Sequence, residues 1–459
     1  MQRFALTVLL LLLTGCASAT DRRPFDDVQT LVSDRTGGRR VQWNAGTGAD
    51  EAAEESVNRL LARELTPDDA IQIALLNNRH LQATFEEIGI AQADLVAAGL
   101  LKNPVFDGDI RFSTAGGGTG IELAVLQDFL DVFWIPLRQR VARAQLEATK
   151  LRVARGVVAL AGEVRDAFVN HQAALQLRDL RRSVVDATSA GYDLARRLRD
   201  AGNISELDLA NQQALYEESK LDLNESALNT SLTRERLNAL LGLAGPAAQR
   251  WSIATQLPSA TDEQSQDEAL EDQAVERSLA LTEEGQRIRA LGEKLGLSNA
   301  SALVQDVAVG AKAERESSGG WGIGPAFSIP IPLFNRGQAT IAAARAQLRR
   351  ARQNHRATEV EVRSETRAAV ARLRLARDRA RHIEQVVLPL RRRAVEESQK
   401  QFNAMTIGVF QLLAAKQQEI DAGVRYVEAL REYWLAKSNL ELILSGGRAN
   451  ASNGGNLNE

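Results

Sequence analysis

The chain has 459 residues, with 56 Lys and Arg against 59 Asp and Glu for a net charge of −3, and 25% of its residues are charged. Near-neutrality argues against a chain that coats nucleic acid, which needs a net basic face, and the single cysteine excludes an intrachain disulfide or a cysteine-based metal or nucleophile site. Aromatics are only 5% and no proline lies between Pro136 and Pro246, which excludes most loop-rich folds and points to long helices.

In chain order, one arginine precedes an apolar run over residues 4–13, the length of a signal-peptide core and too short to cross a bilayer as a helix. It ends in Leu13-Thr14-Gly15-Cys16, which resembles a bacterial lipobox. That resemblance implies removal of residues 1–15 and lipid attachment at Cys16; the alternative is an ordinary signal peptide cut after Ala17-Ser18-Ala19. Ala17, rather than Asp, after the cysteine implies the outer membrane by the same resemblance. No uncharged apolar run of about 18 residues follows. Residues 16–64, polar and rich in Gly, Asp and Arg, read as an extended arm.

Thr66-Pro67-Asp68-Asp69 is a helix start, with an N-cap candidate, proline at N1 and acids in the first turn. Helical patterning continues to about Leu101. Phe106, Gly108, Ile110 and Phe112 then alternate with Asp107, Asp109 and Arg111, the period of a strand with one apolar face. Ala115-Gly116-Gly117-Gly118 makes a turn, and Ile121, Leu123 and Val125 continue the pattern, giving a hairpin over 104–130. A helical pair is expected over 137–242. Leu146, Val153, Val157, Leu160, Val164, Phe168 and Leu175 form a near-heptad seam, and a helix from 137 to about 200 would be roughly 96 Å long. It breaks at Ala201-Gly202-Asn203.

The pattern then repeats. Ala142-Arg143-Ala144-Gln145-Leu146 recurs as Ala344-Arg345-Ala346-Gln347-Leu348, and Ile135-Pro136-Leu137 as Ile331-Pro332-Leu333. A second hairpin is expected over 303–332, with Trp321, Ile323, Phe327, Ile329 and Ile331 on its apolar parity, and a second helical pair over 338–444. The domains are thus a first copy (65–243), a linker (244–269), a second copy (270–445) and a disordered Gly/Asn tail (446–459). The strands have the length that crosses a bilayer at about 45°, yet four cannot close a barrel and open edges are forbidden in lipid. Three chains would supply twelve strands. The alternative is a soluble helical lipoprotein whose hairpins pack on its own helices.

Leu65-Thr66-Pro67-Asp68-Asp69-Ala70-Ile71-Gln72-Ile73-Ala74-Leu75-Leu76-Asn77-Asn78, Ala91-Gln92-Ala93-Asp94, Asn103-Pro104, Gly202-Asn203-Ile204-Ser205-Glu206-Leu207-Asp208-Leu209 and Leu240-Leu241-Gly242-Leu243, in this order and duplicated, resemble the TolC-type outer-membrane efflux proteins. The resemblance implies a mainly α fold with a transmembrane β part: duplicated long helical hairpins form a periplasmic α-barrel, and four strands per chain join a trimeric twelve-stranded outer-membrane β-barrel. It implies a passive trimeric duct of a tripartite efflux system, with no enzymatic activity and no cofactor. The duct would export drugs or heavy-metal cations with a periplasmic adaptor and an inner-membrane transporter of the RND type, in contact with outer-membrane lipid and not nucleic acid. Gly202, Asn203, Ile204, Ser205, Asp208, Met405, Thr406, Ile407 and Gly408 would be the adaptor-docking and gating tips. Phe410, Gln411 and Leu413 would form the constriction, with Phe410 and Leu413 where many members place acids, so an apolar constriction is expected. Asp208 is either an entrance acid or an ordinary early-helix acid favoured by the helix dipole. A type I protein-secretion outlet and a pore-free periplasmic structural lipoprotein are the alternatives.

Other chemistry finds little support. His80, His171, His355 and His382 form no i, i+3 or i+4 pair for a metal, and Met405 is the only methionine besides Met1, too few for a soft-metal relay. Paired acids such as Glu217-Glu218 read as solvated helix faces. Trp134 and Trp321 suit either an interfacial aromatic belt or plain packing.

Overall fold

A computed structural model describes residues 23–44, 46, 48–112, 119–128, 130–261, 267–302, 307–315 and 319–448. The expected signal peptide, Cys16, the 115–118 turn and the end of the tail lie outside the described residues. The first copy contains α3 (Pro67–Asn77), α4 (Arg79–Ala98), β2 (Val105–Arg111), β3 (Gly120–Asp128), α5 (Asp131–Asp200) and α6 (Glu206–Leu241). It is preceded by α1 (Arg23–Ser33), α2 (Gly48–Leu61) and β1 (Glu64–Leu65), and followed by α7 (Ala247–Arg250) and β4 (Ser252–Ile253). The second contains α8 (Asp267–Arg277), α9 (Leu279–Ser301), β5 (Ala308–Arg315), β6 (Trp321–Ser328), α10 (Gln338–His382), a π turn (Ile383–Val387), α11 (Leu388–Asn403) and α12 (Val409–Leu444).

Two expectations need correction. The span 16–64 is not an extended arm, because α1 and α2 lie within it. Phe25, Val28 and Val32 are buried and spaced i, i+3, i+7, which places them on one face of α1. Residues 446–448 of the tail expected to be disordered are placed: Arg448 bonds Glu361 (2.8 Å) and Glu365 (2.7 Å).

The chain divides into two compact units. One (Met1–Val28, Phe85–Val153, Ala280–Thr358) carries a four-stranded antiparallel sheet in the order β2-β3-β5-β6. Both hairpins take the register that keeps parity: Phe106 faces Val125, and Val309 faces Phe327. The β3–β5 ladder, with Leu123 opposite Ala313, joins the copies into one sheet. Asp131, buried at the start of α5, is held by both guanidinium nitrogens of Arg138 (2.6 and 3.0 Å), so the strand-to-helix junction contains a satisfied charge rather than a bare one.

The other unit (Gln29–Thr84, Ala154–Leu279, Glu359–Glu459) carries both helical hairpin tips. Val169 and Ala173 of α5, Ala380, Ile383, and Val427, Ala429 and Leu430 of α12 form one core cluster, with Leu257 from the segment after β4. That segment, expected to be a bare linker, is a strap. β4 pairs in parallel with β1, Gln172 Nε2 of α5 donates to Gln256 O (2.8 Å), and Trp434 Nε1 of α12 donates to Pro258 O (2.9 Å). In the π turn, Leu388 N reaches back to Ile383 O, one residue further than in an α-helix. Pro389 explains it: proline lacks an N–H and its ring collides with the carbonyl four residues back, and a widened turn relieves both. Glu384 in this turn accepts from Tyr426 Oη (2.7 Å) and Ser259 Oγ (3.0 Å).

The two copies end at similar caps built from different side chains. After α6, Gly242 takes the left-handed conformation (φ 68°), where Asn77 Nδ2 donates to Leu241 O and Gly242 O and the buried Asn78 donates from Nδ2 to Leu240 O (2.8 Å). Asn78 Oδ1 also accepts from Leu81 N (2.9 Å), which caps α4. After α12, Gly446 (φ 91°) plays the same part, and Arg35 from beyond α1 donates to Ser445 O (3.1 Å) and Arg277 O.

Candidate functional site: the sheet face and the hairpin tips

Opposed residues in an antiparallel ladder point to the same side, so the register sorts the sheet into two faces. One holds Phe106, Ile110, Leu123, Val125, Val309, Ala311, Ile323, Pro325 and Phe327. Phe106, Ile110, Val309, Ile323 and Phe327 are exposed, Ile323 to 82%. Pro325 lies on β6, an outer strand of the sheet in the chain, where proline is tolerated. The opposite face carries the ladder's charges except Arg315, which lies at the end of the apolar face beside Trp321. Arg111 pairs with Asp109 (3.0 Å) and Glu122 (2.8 Å), and Lys312 pairs with Glu122 (2.7 Å) and Glu314 (3.3 Å). Gly322, Gly324, Ala326 and Ser328 complete that face on β6. An apolar exposed side backed by an ion-paired polar side suits lipid against water. Trp321 is exposed at one end of the apolar face, and Trp134 is half-buried in the first turn of α5.

At the first tip, Gly202 is left-handed (φ 77°), Gly202 N bonds Arg199 O and Asn203 N bonds Leu198 O (2.8 Å), the double closure of a Schellman cap. At the second, Met405 takes the same conformation (φ 58°), with Met405 N to Phe402 O and Thr406 N to Gln401 O (3.0 Å). Met405 is the single non-glycine residue with this conformation among the described residues, and its side chain is 93% exposed. Ser205 and Asp208 form a capping box: Ser205 Oγ accepts from Asp208 N (3.1 Å), and Asp208 Oδ2 accepts from Ser205 N (3.1 Å). The hydrogen bonds from Ser205 hold the Asp208 carboxyl below its ordinary range. Gly408 can offer only half of such a box, its N–H donating to Gln411 Oε1 (2.8 Å). Asn203, Thr406 and Gly408 are exposed, and Ile204 and Ile407 half-buried.

Of the three residues expected at a constriction, Gln411 is an exposed cap, and Phe410 and Leu413 are half-buried. Leu413 Cδ1 lies 3.0 Å from the point where a Cβ on Gly191 would sit, so Leu413 packs against α5 of its own chain. Among the described residues there is no group of three or more His, Cys, Asp or Glu able to hold a metal, and no helix long and apolar enough to cross a membrane. The Arg35 clamp and the strap gave no local sequence signal, whereas Pro389 inside a helical pattern was a signal for the π turn.

The fold is that of a four-stranded antiparallel sheet with one exposed apolar face, joined to duplicated helical hairpins. Residues 270–446 match the family described as outer membrane efflux protein. The chain is 24% identical to the cobalt-zinc-cadmium resistance protein CzcC of Cupriavidus metallidurans over 84% of its length and 91% of that protein. The structure of CusC, solved in work on folding and transmembrane channel formation, is similar with a TM-score of 0.67 and 17% identity, over 85% of this chain and 94% of that one. The outer-membrane channel OprN gives 0.67 and 17% over 90% and 96%. The family match covers the second copy, and the likeness to the solved structures shows the fold.

Proposed function

We propose that the chain is the passive outer-membrane duct of a tripartite efflux system, working as three copies. The observation that carries this reading is the four-stranded sheet with an exposed apolar face and open outer strands β2 and β6. Open edges are not tolerated in lipid, and pairing β2 of one copy with β6 of the next would remove them and leave the ion-paired face lining water. The duct needs no energy source of its own; a periplasmic adaptor and an inner-membrane transporter, of the RND type, supply selection and drive. Both hairpin tips present the adaptor-facing end, with Met405 almost fully exposed there, and Phe410 and Leu413 give the entrance an apolar character. Cys16 supplies a lipid anchor. Divalent heavy-metal cations are the substrate class favoured by the likeness to CzcC, with amphiphilic drugs the other class such ducts serve.

The test is growth of a strain lacking this chain on cobalt, zinc and cadmium salts and on dyes, detergents and antibiotics, together with conductance of the purified protein in planar bilayers. Channel activity plus selective metal sensitivity is the expected result, restored by the intact gene. A protein that forms no conducting trimer would sink the duct, and sensitivity confined to the amphiphiles would move the substrate class from metals to drugs.

A further inference from the structure

The hydrogen-bonded strands are short for the task. The eight residues of β6, at about 3.4 Å each and tilted about 45°, rise only about 19 Å, below the roughly 25 Å apolar band of an outer-membrane barrel. The apolar parity does not stop where the ladder stops. Ile329 and Ile331 continue the alternation of Ile323 and Phe327, and both are exposed. Counting to Ile331 raises the span to about 26 Å. Leu333 and Phe334 follow, Phe334 at 92% exposure.

Beyond Ser328, which pairs with Ala308, β6 has no described ladder partner. An unpaired strand in an apolar medium leaves N–H groups unsatisfied at a cost of several kcal/mol each. Here the sequence removes donors. Pro330 and Pro332 have none, and Leu333 N bonds Ile331 O (2.9 Å) in a tight turn around Pro332. The chemistry then changes abruptly. Asn335, Arg336, Gly337 and Gln338 form a polar turn that satisfies itself: Asn335 Oδ1 accepts from Gly337 N (3.0 Å), Gln338 Oε1 accepts from Arg336 N (2.7 Å), and Gln338 Nε2 donates to Phe334 O (3.1 Å). The first copy offers exposed Val132 and Phe133 where its own last strand gives way to α5.

We infer that residues 329–334 form a lipid-embedded collar. It would sit at the boundary between acyl chains and headgroups of the leaflet nearest the helices, with Phe334 at the boundary and Arg336 at phosphate level. The occupant is phospholipid rather than a second copy of the chain, because Ile329 and Ile331 continue the sheet's apolar parity rather than its edge, and Phe334 is exposed just beyond the turn that ends it. The collar fixes the depth at which the sheet sits, in a segment with few free backbone donors. The inference rests on the reading of the sheet as membrane-spanning.

The test is a spin label on the full chain in vesicles of phosphatidylethanolamine and phosphatidylglycerol, placed in turn at Phe334→Cys, Ile323→Cys and Arg336→Cys, with the unsubstituted protein controlling for Cys16. Collision with oxygen and with a water-soluble nickel complex is read at each site. Expected are oxygen-dominated collisions at Ile323 and Phe334, where nickel collisions are suppressed relative to Arg336. Water exposure of Phe334 with lipid exposure of Ile323 overturns the collar and leaves the proposed function standing. Shielding of Phe334 from both reagents means protein covers it, and also overturns the collar. Water exposure of Ile323 removes the membrane reading itself.

Discussion

The two copies show how one backbone solution can be reached with different side chains. Both hairpins turn through the same pair of hydrogen bonds, yet the left-handed residue is Gly202 in one and Met405 in the other. The following helix starts on a full capping box in the first copy and on half of one in the second. At the opposite end, two asparagines close α6, while an arginine from outside the repeat serves α12. What the duplication preserves is the accounting of backbone donors and acceptors. The first copy supplies its caps from within itself; the second borrows from the N-terminal segment and tolerates strain at an exposed point.

The largest break in this comparison is expected at Gly242. A Cβ there would lie 2.6 Å from Asn77 O, against backbone, whereas Gly202 has nothing within 4 Å. Gly242→Ala should cost roughly 3 kcal/mol and Gly202→Ala about 1 kcal/mol, though both glycines are left-handed. Denaturant titration of the two variants checks this, and equal losses would show that the close approach of Asn77 is unimportant.

Asn78→Ala comes next. It removes the donor to Leu240 O and the acceptor for Leu81 N in a buried place, a loss of about 2 kcal/mol. Hydrogen exchange should accelerate at Leu81 and leave the end of α12 unaffected; Arg35→Met should open the end of α12 and spare α4.

Met405→Gly should act in the other direction, stabilising the second tip by about 0.5 to 1 kcal/mol as the left-handed strain is relieved. Slower exchange of the Met405 and Thr406 amides is the readout. Unchanged exchange would mean that the strain is already dissipated elsewhere.

A further effect is confined to a pH window. Burial, then the nearby Arg234 and Arg178, push the His171 imidazole down to about 4 from the ordinary value of 6.5. Between these values the unfolded chain binds a proton that the folded chain refuses, so stability falls as pH drops from about 6.5 to about 4 and then levels off. By the offset that aligns Ala142 with Ala344, His171 corresponds to Leu373, which has nothing to titrate. His171→Leu should flatten the pH dependence of thermal unfolding, and a persistent slope would assign it to other groups.

Much of the fold was legible because its signals are periodic. The alternation from Phe106 to Phe112 and from Trp321 to Phe327 gave both faces of the sheet, and the repeated Ala-Arg-Ala-Gln-Leu motif gave the duplication. Thr66-Pro67 was legible as a cap because the partner of Thr66, Asp69, is three residues away. Asn78 was quoted in the family-like motif without a role, since the carbonyl it serves lies 162 positions along the chain. Helix α1 was missed because four apolar residues in eleven were diluted by the glycines and arginines after it. Of the residues expected at a constriction, Gln411 caps Gly408 three residues before it, within reach of a local pattern, whereas Leu413 packs on Gly191, a neighbour no local pattern names.

The π turn gives the second hairpin something the first lacks. Helix α5 continues for 70 residues without interruption, whereas its counterpart is widened at Ile383–Val387, beside a strap that touches both hairpins. In the proposed ring of three copies, stiff ribs would alternate with jointed ones. Bending would gather at three joints at one height, each latched by the Glu384 carboxylate to Tyr426 and Ser259. A tube with such joints yields in a few hinged steps rather than swelling evenly along its length.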